Sequence, residues 1–262
     1  MIYKEIRLGE ALVRTYVLSN YPAIDAERRR AMIIICPGGA YRFCSEREAE
    51  PIAIRFNSLG YNCLVLYYTV NAEEQGSIYP KPQQELAETV KWVRSNAADL
   101  NTDPNKIVLM GFSAGGHLAA SHGVFWKRYG ELTKPDAMVL CYPVITSGPF
   151  AHERSIKNLV GDDEKLKSQM SLEMHVNSDV PPTFIWTTKT DQSVPYENSL
   201  MFKESLDRFG IENDLVVYPK GVHGLSLGTS ETTDYKRAVT ACVQDWPERA
   251  DSFLRRAIGP AF

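Results

Sequence analysis

The chain has 262 residues, of which 44% are hydrophobic and 23% are charged, and its formal net charge at pH 7 is −3. This length can bury a substantial core in one domain of the larger α/β kind. Lys and Arg are scattered, which indicates no nucleic-acid partner. No apolar run approaches the roughly 20 residues that span a bilayer, so we expect a globular chain that uses neither nucleic acid nor membrane.

The start of the chain, MIYKEIRLGEALVRTYVLSN, lacks a continuous apolar segment and a small-residue cleavage site, so the sequence predicts no signal peptide. The five cysteines are odd in number and lie mostly in apolar stretches. They favour reduced thiols in a cytoplasmic protein over a disulfide framework. No Cys or His pair has structural-zinc spacing, so no metal is expected. The oligomeric state stays open, with a homodimer as one alternative.

In chain order, residues 11–19 favour an antiparallel edge strand. Apolar, β-rich stretches, typical of parallel strands covered on both faces, then recur at 31–36, 62–68, 106–112, 137–145, 183–188 and 214–219. Apolar side chains at three- and four-residue spacing predict amphipathic helices over 82–100 and 197–210. Residues 234–257 are typical of a final helix interrupted near Pro247.

This alternation of strands and helices predicts an α/β fold with a mostly parallel sheet and right-handed connections. We expect a single domain over residues 1–262. The stretch 146–180 is polar and irregular, follows one predicted strand and precedes the next. It is therefore predicted to form a small lid over the strand ends.

The segment KIVLMGFSAGGHLAAS, residues 106–121, joins an apolar strand directly to a helix-forming stretch. Gly111 and Gly115 flank Ser113 at the spacing of a Gly-x-Ser-x-Gly turn, where larger side chains would collide with the strand and the helix. The following helix would aim its N-terminal N–H groups at developing negative charge. This context favours a nucleophilic serine over a structural turn that contains serine.

A nucleophilic serine needs a base, and the chain offers five histidines. His117 and His122 lie in the helix after the turn, where surface or packing roles are expected. His152 and His175 lie in the polar insertion, where solvation is expected, although either could line a pocket. His223 lies in the loop YPKGVHG after the last strand, and loops at the carboxyl ends of parallel strands carry the sites of α/β sheets. We therefore predict His223 as the base.

Enzymes with this serine turn carry their triad in the chain order serine, acid, histidine. Asp191, in TFIWTTKTDQSVP, follows the penultimate strand, and one predicted helix and one strand separate it from His223. It is the predicted acid. Positions in the lid, on a helix or at a strand start account for the other aspartates considered: Asp162, Asp163, Asp179, Asp207 and Asp214.

The segment CPGGAY, residues 36–41, follows the strand 31–36, where backbone N–H donors for a tetrahedral oxyanion are expected. Successive glycines let the backbone approach a substrate closely. Alone, Pro-Gly-Gly would indicate a simple turn. Together with the serine, acid and histidine in order, it predicts the N–H groups of Ala114 and of Gly39 or Ala40 as donors.

The segments PGGAY, GFSAGGH, TKTDQSVP and GVHG resemble the α/β-hydrolase superfamily. Within it they are most similar to compact serine esterases related to hormone-sensitive-lipase-like enzymes and to bacterial acetyl-xylan and other carbohydrate esterases. The resemblance covers most of the chain, from Cys36 to Gly224. It implies an α/β-hydrolase fold, Ser113 as nucleophile, His223 as base and Asp191 as the residue that orients it.

The resemblance also matches Gly39, Ala40 and Ala114 to oxyanion positions. Pro37 and Ala40 depart from the His-Gly-Gly-Gly pattern of many lipases, although both departures leave the N–H groups of Gly39 and Ala40 in place. The insertion also lacks the long apolar stretch of an interfacial lipase. These departures argue against a lipase-like substrate preference.

The predicted activity is two-step ester hydrolysis without metal or organic cofactor. The resemblance implies a small-molecule ester substrate with a short acyl group such as acetyl, on a sugar, a xylo-oligosaccharide or another small alcohol. Tyr41 and Val194 adjoin the oxyanion segment and the acid, so they are candidates for the acyl pocket. Core packing is the alternative for both and is favoured for Val194.

Three other functions remain open. A peptidase related to the prolyl oligopeptidase catalytic domain would use the same triad, but that group usually carries a large extra domain. An amidase or thioesterase, such as a formamidase, would also use the same residues. A non-catalytic binding module on a hydrolase scaffold belongs to a different class, and such proteins typically lose a triad member.

Overall fold

The computed structural model describes residues 1–234 and 238–262. In the described part of the chain, eight strands form one sheet in the order β1-β2-β4-β3-β5-β6-β7-β8. The strands are β1 Ile2–Leu8, β2 Ala11–Val17, β3 Arg30–Cys36, β4 Asn62–Tyr67, β5 Thr102–Phe112, β6 Ala137–Cys141, β7 Thr183–Thr188 and β8 Asn213–Tyr218. The helices are α1 Glu50–Asn57, α2 Lys81–Ser95, α3 Ala114–Phe125, α4 Glu153–Val160, α5 Glu164–Gln169, α6 Glu197–Arg208 and α7 Trp246–Ala257.

The sheet is parallel from β4 through β3, β5, β6 and β7 to β8. At its other edge β1 and β2 form an antiparallel hairpin, and β2 pairs antiparallel with β4. The prediction of a mostly parallel α/β sheet is therefore confirmed. Because the carboxyl ends of parallel strands meet at one edge, the loops after β3, β5, β7 and β8 converge there.

Helices cover both faces of the sheet, and alternate residues of each central strand enter opposite apolar layers. In β3, Met32 and Ile34 pack into a layer that contains residues of α2, α3 and α6. Ile33 and Ile35 point the other way, into a layer that contains residues of α1 and α7. This two-sided burial explains why the central strands are apolar without alternation.

The structure differs from the prediction at the amino-terminal edge. β2 is antiparallel as predicted, but it is the second strand, since β1 pairs along its outer side. The sequence of β1, IYKEIRL, is exposed along most of its length. An edge strand with little burial carries no strong apolar signal, so its sequence did not indicate a strand.

The last helix begins later than predicted. α7 starts at Trp246, with Pro247 in its first turn. Backbone N–H groups in the first turn have no acceptor within the helix, so a proline there costs no hydrogen bond. Pro247 therefore starts the helix instead of interrupting it. A short 3-10 turn occupies Ala241–Val243, and the part of the predicted helix over 235–237 lies outside the described residues.

The stretch 146–180 is more regular than predicted, because it contains α4, α5 and a 3-10 turn at Leu172–Met174. Ile156, Leu159 and Val160 of α4 are buried in the main apolar layer, which is the layer that contains residues of α2, α3 and α6. Their three- and four-residue spacing is the signal that the many flanking charges obscured. The segment therefore packs into the domain, and its role as a lid stays a prediction.

Candidate active site

Ser113 occupies the sharp turn between β5 and α3. Its backbone has φ 53° and ψ −116°, a strained conformation for a residue with a side chain. The N–H of Ser113 donates to the Cys141 carbonyl at 3.0 Å, and its own carbonyl accepts from Val144 at 3.1 Å. The end of β6 thus holds the strained turn in place.

The two glycines of the turn leave no room for side chains. A Cβ on Gly111 would overlap the carbonyl group of Gly115, and a Cβ on Gly115 would overlap the carbonyl oxygens of Cys36 and Pro37. The backbone of α3 therefore lies directly against β5 and against the start of the loop after β3, residues 37–41, which we call the glycine loop. This close contact places Ser113 at the carboxyl edge of the sheet.

Three side chains predicted from the sequence form one hydrogen-bonded chain. The Ser113 hydroxyl lies 2.7 Å from Nε2 of His223, and Nδ1 of His223 lies 2.7 Å from Oδ2 of Asp191. With Nδ1–H donating to the carboxylate, Nε2 is in the tautomer that can accept the serine proton. The geometry is that of a nucleophile, a base and an orienting acid.

Both carboxylate oxygens of Asp191 have partners. Oδ2 faces His223, while Oδ1 accepts the backbone N–H groups of Ser193 and Val194 at 2.9 and 3.0 Å. The side chain is 1% exposed, whereas that of His223 is 19% exposed. The acid is therefore buried and fixed, and the imidazole faces the cleft.

The glycine loop after β3 lies beside Ser113. Gly39 has φ 128° and Ala40 has φ 55°, so the chain turns sharply here. The Gly38 N–H donates to Oε2 of Glu48, whereas the N–H groups of Gly39, Ala40 and Ala114 have no acceptor among the described residues. Those three donors are available to a ligand oxygen.

A cleft of about 320 Å³ opens above Ser113 and His223. Its wall has both polar and apolar parts and comes from the glycine loop, the turn after it, the start of α4 and the His223 loop: Gly39, Ala40, Phe43, Ser45, Arg47, Glu48, Ser113, His152, Arg154, His223 and Gly224. A groove of about 680 Å³ beside α2 is larger but shares no lining residue with the cleft. The smaller cleft is the candidate active site because it contains Ser113 and His223.

The structure does not bring Tyr41 or Val194 to the cleft wall. Tyr41 is fully buried, and its hydroxyl donates to Nδ1 of His117 at 2.9 Å. Val194 is also buried in the main apolar layer. Their nearness in sequence to the oxyanion segment and the acid made both candidates for the acyl pocket, but both side chains lie in the core, the alternative that was favoured for Val194.

The remaining histidines divide between the core and the cleft. His117 and His122 are fully buried, and burial lowers the pKa of each to about 4. His175 packs on Phe125 at a ring distance of 5.2 Å. His152 lines the cleft, and its Nδ1 lies 2.8 Å from the Ser155 hydroxyl. Partial burial lowers the pKa of His152, and the nearby His223 lowers it further.

Sequence reasoning missed Phe43, Arg47, Glu48 and Arg154 as cleft residues. Arg47 and Arg154 are held by ion pairs, Arg47 with Asp234 at 2.8 Å and Arg154 with Glu74. The only sequence signal for them was nearness to the glycine loop or to the insertion. In the described part of the chain, no group of three or more His, Cys, Asp or Glu side chains is arranged to hold a metal ion, and no helix is long and apolar enough to cross a membrane.

Comparison with known proteins agrees with this fold. The BD-FAE family matches residues 20–135. The chain is 37% identical over 218 residues to endo-1,4-beta-xylanase B of Butyrivibrio fibrisolvens, a match that covers 79% of this chain and 34% of that protein. The chain therefore spans about a third of that curated relative's length.

Two solved structures cover nearly the whole chain. The carboxylesterase Cest-2923 of Lactobacillus plantarum superposes with a TM-score of 0.87 at 28% identity, over 98% of both chains. The acetyl ester-xyloside bifunctional hydrolase of Caldicellulosiruptor lactoaceticus superposes with a TM-score of 0.76 at 36% identity, over 92% of this chain and 88% of that one. The sheet and the serine turn define an α/β-hydrolase. Within that class, the chain belongs to the ester hydrolases.

Proposed function

We propose that this chain is a serine carboxylesterase that hydrolyses esters of short acyl groups, acetyl above all. Ser113 is the nucleophile, His223 the general base and acid, and Asp191 the residue that orients the imidazole. The observation that carries the proposal is the continuous hydrogen-bonded chain from the Ser113 hydroxyl through His223 to Asp191.

In the first half-reaction, the Ser113 oxygen attacks the ester carbonyl carbon while Nε2 of His223 takes the hydroxyl proton. The carbonyl oxygen becomes an oxyanion, and the N–H groups of Ala114 and of Gly39 or Ala40 stabilise it. Collapse of this intermediate breaks the bond to the alcohol oxygen, which receives the proton from His223. The acyl group stays on Ser113.

In the second half-reaction, water attacks the acyl-enzyme carbonyl and gives its proton to His223. The same N–H groups stabilise the second oxyanion. Collapse releases the carboxylic acid as the Ser113 oxygen recovers a proton from the imidazolium. Asp191 keeps the imidazole in the required tautomer throughout and stabilises its protonated form.

The size of the cleft and the charged and polar side chains at its wall support a small acyl group on a polar alcohol. Its volume of about 320 Å³ is at the lower end of ligand pockets. Arg154 and His152 from the predicted lid supply hydrogen-bond donors at its wall. We propose acetylated sugars, including xylo-oligosaccharides, as the substrate class, since a similar structure is an acetyl ester-xyloside hydrolase.

The test is hydrolysis of p-nitrophenyl acetate, butyrate and octanoate by the wild type and by Ser113→Ala. We expect kcat/KM to fall from acetate to octanoate. In the variant we expect kcat to fall by about 10⁶-fold, because removing the nucleophile of a serine triad costs about that much. Ser95→Ala, on the exposed face of α2, is the matched control.

Equal hydrolysis of the acetate by Ser113→Ala and wild type would contradict the nucleophile. A preference for octanoate would contradict the acyl specificity alone. Cleavage of an aryl amide at a higher kcat/KM than the matched ester would replace the esterase with an amidase that uses the same triad.

A further inference from the structure

The carboxylate of Glu48 is buried at the base of the cleft, with 3% of the residue exposed. Glu48 ends the 3-10 turn Glu46–Glu48, just after the glycine loop. Its Oε2 accepts the Gly38 N–H at 2.8 Å, and its Oε1 accepts the Tyr142 hydroxyl at 2.7 Å. Among the described residues, no Lys, Arg or His lies within ion-pair distance of this carboxylate. Its partners are therefore two neutral donors, one on each oxygen.

Tyr142 connects this carboxylate to the histidine loop. It follows β6 directly and is buried. Its hydroxyl oxygen accepts the Ser226 N–H at 3.0 Å, three residues after His223. Its ring packs edge-on against the His223 imidazole, with 5.1 Å between ring centroids. Glu48 thus links the glycine loop, the end of β6 and the loop that holds the base.

These loops carry most of the backbone strain in the described part of the chain. Seven residues other than glycine have positive φ there, and five of them lie in this region. They are Ala40, Tyr41, Ser113, Tyr142 and Ser226. Such conformations persist only where the surroundings hold them. The bonds from Glu48 to Gly38 and Tyr142 are part of that restraint.

The position of Gly38 is also closely limited by space. A Cβ at Gly38 would lie 2.7 Å from Oε2 of Glu48 and 3.1 Å from Cβ of Ser113. Gly38 therefore lies between the Glu48 carboxylate and the nucleophile. A shift of this residue would move the adjacent Gly39 and Ala40, whose N–H groups are the proposed oxyanion donors.

We infer that Glu48 is a positioning residue for the oxyanion hole. Its two oxygens fix Gly38 and Tyr142 together, and this sets the direction of the Gly39 and Ala40 N–H groups relative to Ser113. Only a carboxylate offers an acceptor to each donor, because an amide has a single acceptor oxygen. The inference rests on the proposed esterase function, since it assigns Glu48 a role in the same site.

The test compares Glu48→Gln with wild type on p-nitrophenyl acetate and with trifluoroacetone, a ketone that adds reversibly to a serine nucleophile as an oxyanion. We expect kcat to fall about 10- to 100-fold, less than the roughly 10²–10³-fold loss on removing an oxyanion donor outright. We expect trifluoroacetone affinity to fall by a similar factor and KM to change less than about threefold, because the defect affects the transition state. Glu46→Gln, an exposed neighbour, should match wild type.

Tyr142→Phe is the second variant, since it removes one hydroxyl bond to Glu48 but keeps the ring against His223. It should show the same pattern of lower kcat and weaker trifluoroacetone binding, even if Glu48→Gln does not fold. Wild-type kcat and trifluoroacetone affinity in a folded Glu48→Gln, or in Tyr142→Phe if Glu48→Gln does not fold, would overturn the inference. Ser113→Ala assayed alongside separates the two claims: if it stays active, the proposed function fails, whereas if only the Glu48 variant stays active, only the inference fails.

Discussion

At the scale of single residues, Asp191 shows how the site is fixed by hydrogen bonds on both sides of one carboxylate. Oδ1 is bound by two backbone N–H groups and Oδ2 by His223. The carboxylate therefore has one orientation, and the imidazole it holds has one tautomer. This arrangement lets Nε2 accept a proton from Ser113 without rearrangement.

Replacing this acid should damage catalysis more than binding. We expect Asp191→Asn to lower kcat on p-nitrophenyl acetate by about 10⁴-fold, because the amide favours the wrong imidazole tautomer. KM should change little. Asp99→Asn, at an exposed position just after the end of α2, should keep wild-type kinetics. A decrease in kcat of less than about tenfold in Asp191→Asn would contradict the proposed role of Asp191 as the orienting acid.

The three residues of the proposed triad could be predicted because each has a local signal. Ser113 lies in a glycine-flanked turn, and Asp191 and His223 directly follow apolar strands. Glu48 and His152 have no such signal, since only the folded chain brings them to the cleft. Tyr41 shows the reverse error. It lies at the end of the glycine loop in sequence, yet its side chain is fully buried beside His117.

At the scale of secondary structure, the serine turn depends on close contact between α3, β5 and the glycine loop. Gly115 makes this contact possible, because any side chain there would overlap the Cys36 and Pro37 carbonyl groups. The glycine loop, which holds the proposed oxyanion donors, would have to move. Close packing at this one glycine therefore sets the geometry of the proposed site.

Gly115→Ala should therefore lower both stability and activity. We expect Tm to fall by more than about 6 °C, since a loss of about 1 kcal/mol shifts Tm by about 2–4 °C at this size and backbone overlap costs several times more. Residual folded enzyme should have greatly reduced kcat. Gly210→Ala is the control: it adds a Cβ that meets nothing within 4 Å at φ 66°. It should cost about 1–2 kcal/mol for its left-handed backbone and keep wild-type kcat/KM.

Longer elements with a regular apolar pattern were easier to predict than short or exposed ones. The predicted strand 183–188 coincides with β7, and the predicted helices 82–100 and 197–210 coincide in large part with α2 and α6. β1 and α1 were missed. β1 is mostly exposed, and α1 has only eight residues, three of them buried. Short or exposed elements depend on neighbours that the local sequence does not reveal.

At the scale of the whole molecule, two buried histidines link stability to pH. His117 and His122 are fully buried, and the pKa of each is lowered from 6.5 to about 4 by burial. The Nε2–H of His122 donates to the Thr133 carbonyl at 2.7 Å, while the buried Nδ1 has no hydrogen-bond partner among the described residues. Protonation would place charge on that unpartnered atom. The folded state therefore holds His122 neutral.

Because the folded state holds these histidines neutral, the protein should be less stable in acid. Between about pH 6.5 and pH 4 the unfolded chain binds protons that the folded chain does not, so the free energy of unfolding decreases as pH falls through this range. We expect His122→Gln to reduce the loss between pH 7 and pH 4.5 by about 2 kcal/mol in urea unfolding. His175→Gln, at a partly exposed site, should reduce it less. An identical loss in wild type and His122→Gln would contradict the neutral buried state.

We propose Ser113 as the nucleophile of an esterase. The most direct test of this role is covalent labelling with diisopropyl fluorophosphate, followed by intact-mass measurement and peptide mapping. The serine oxygen attacks phosphorus, fluoride leaves, and His223 takes the proton. We predict one adduct, on the peptide that contains Ser113, and none in Ser113→Ala. An adduct on another serine, or one that persists in Ser113→Ala, would contradict the assignment.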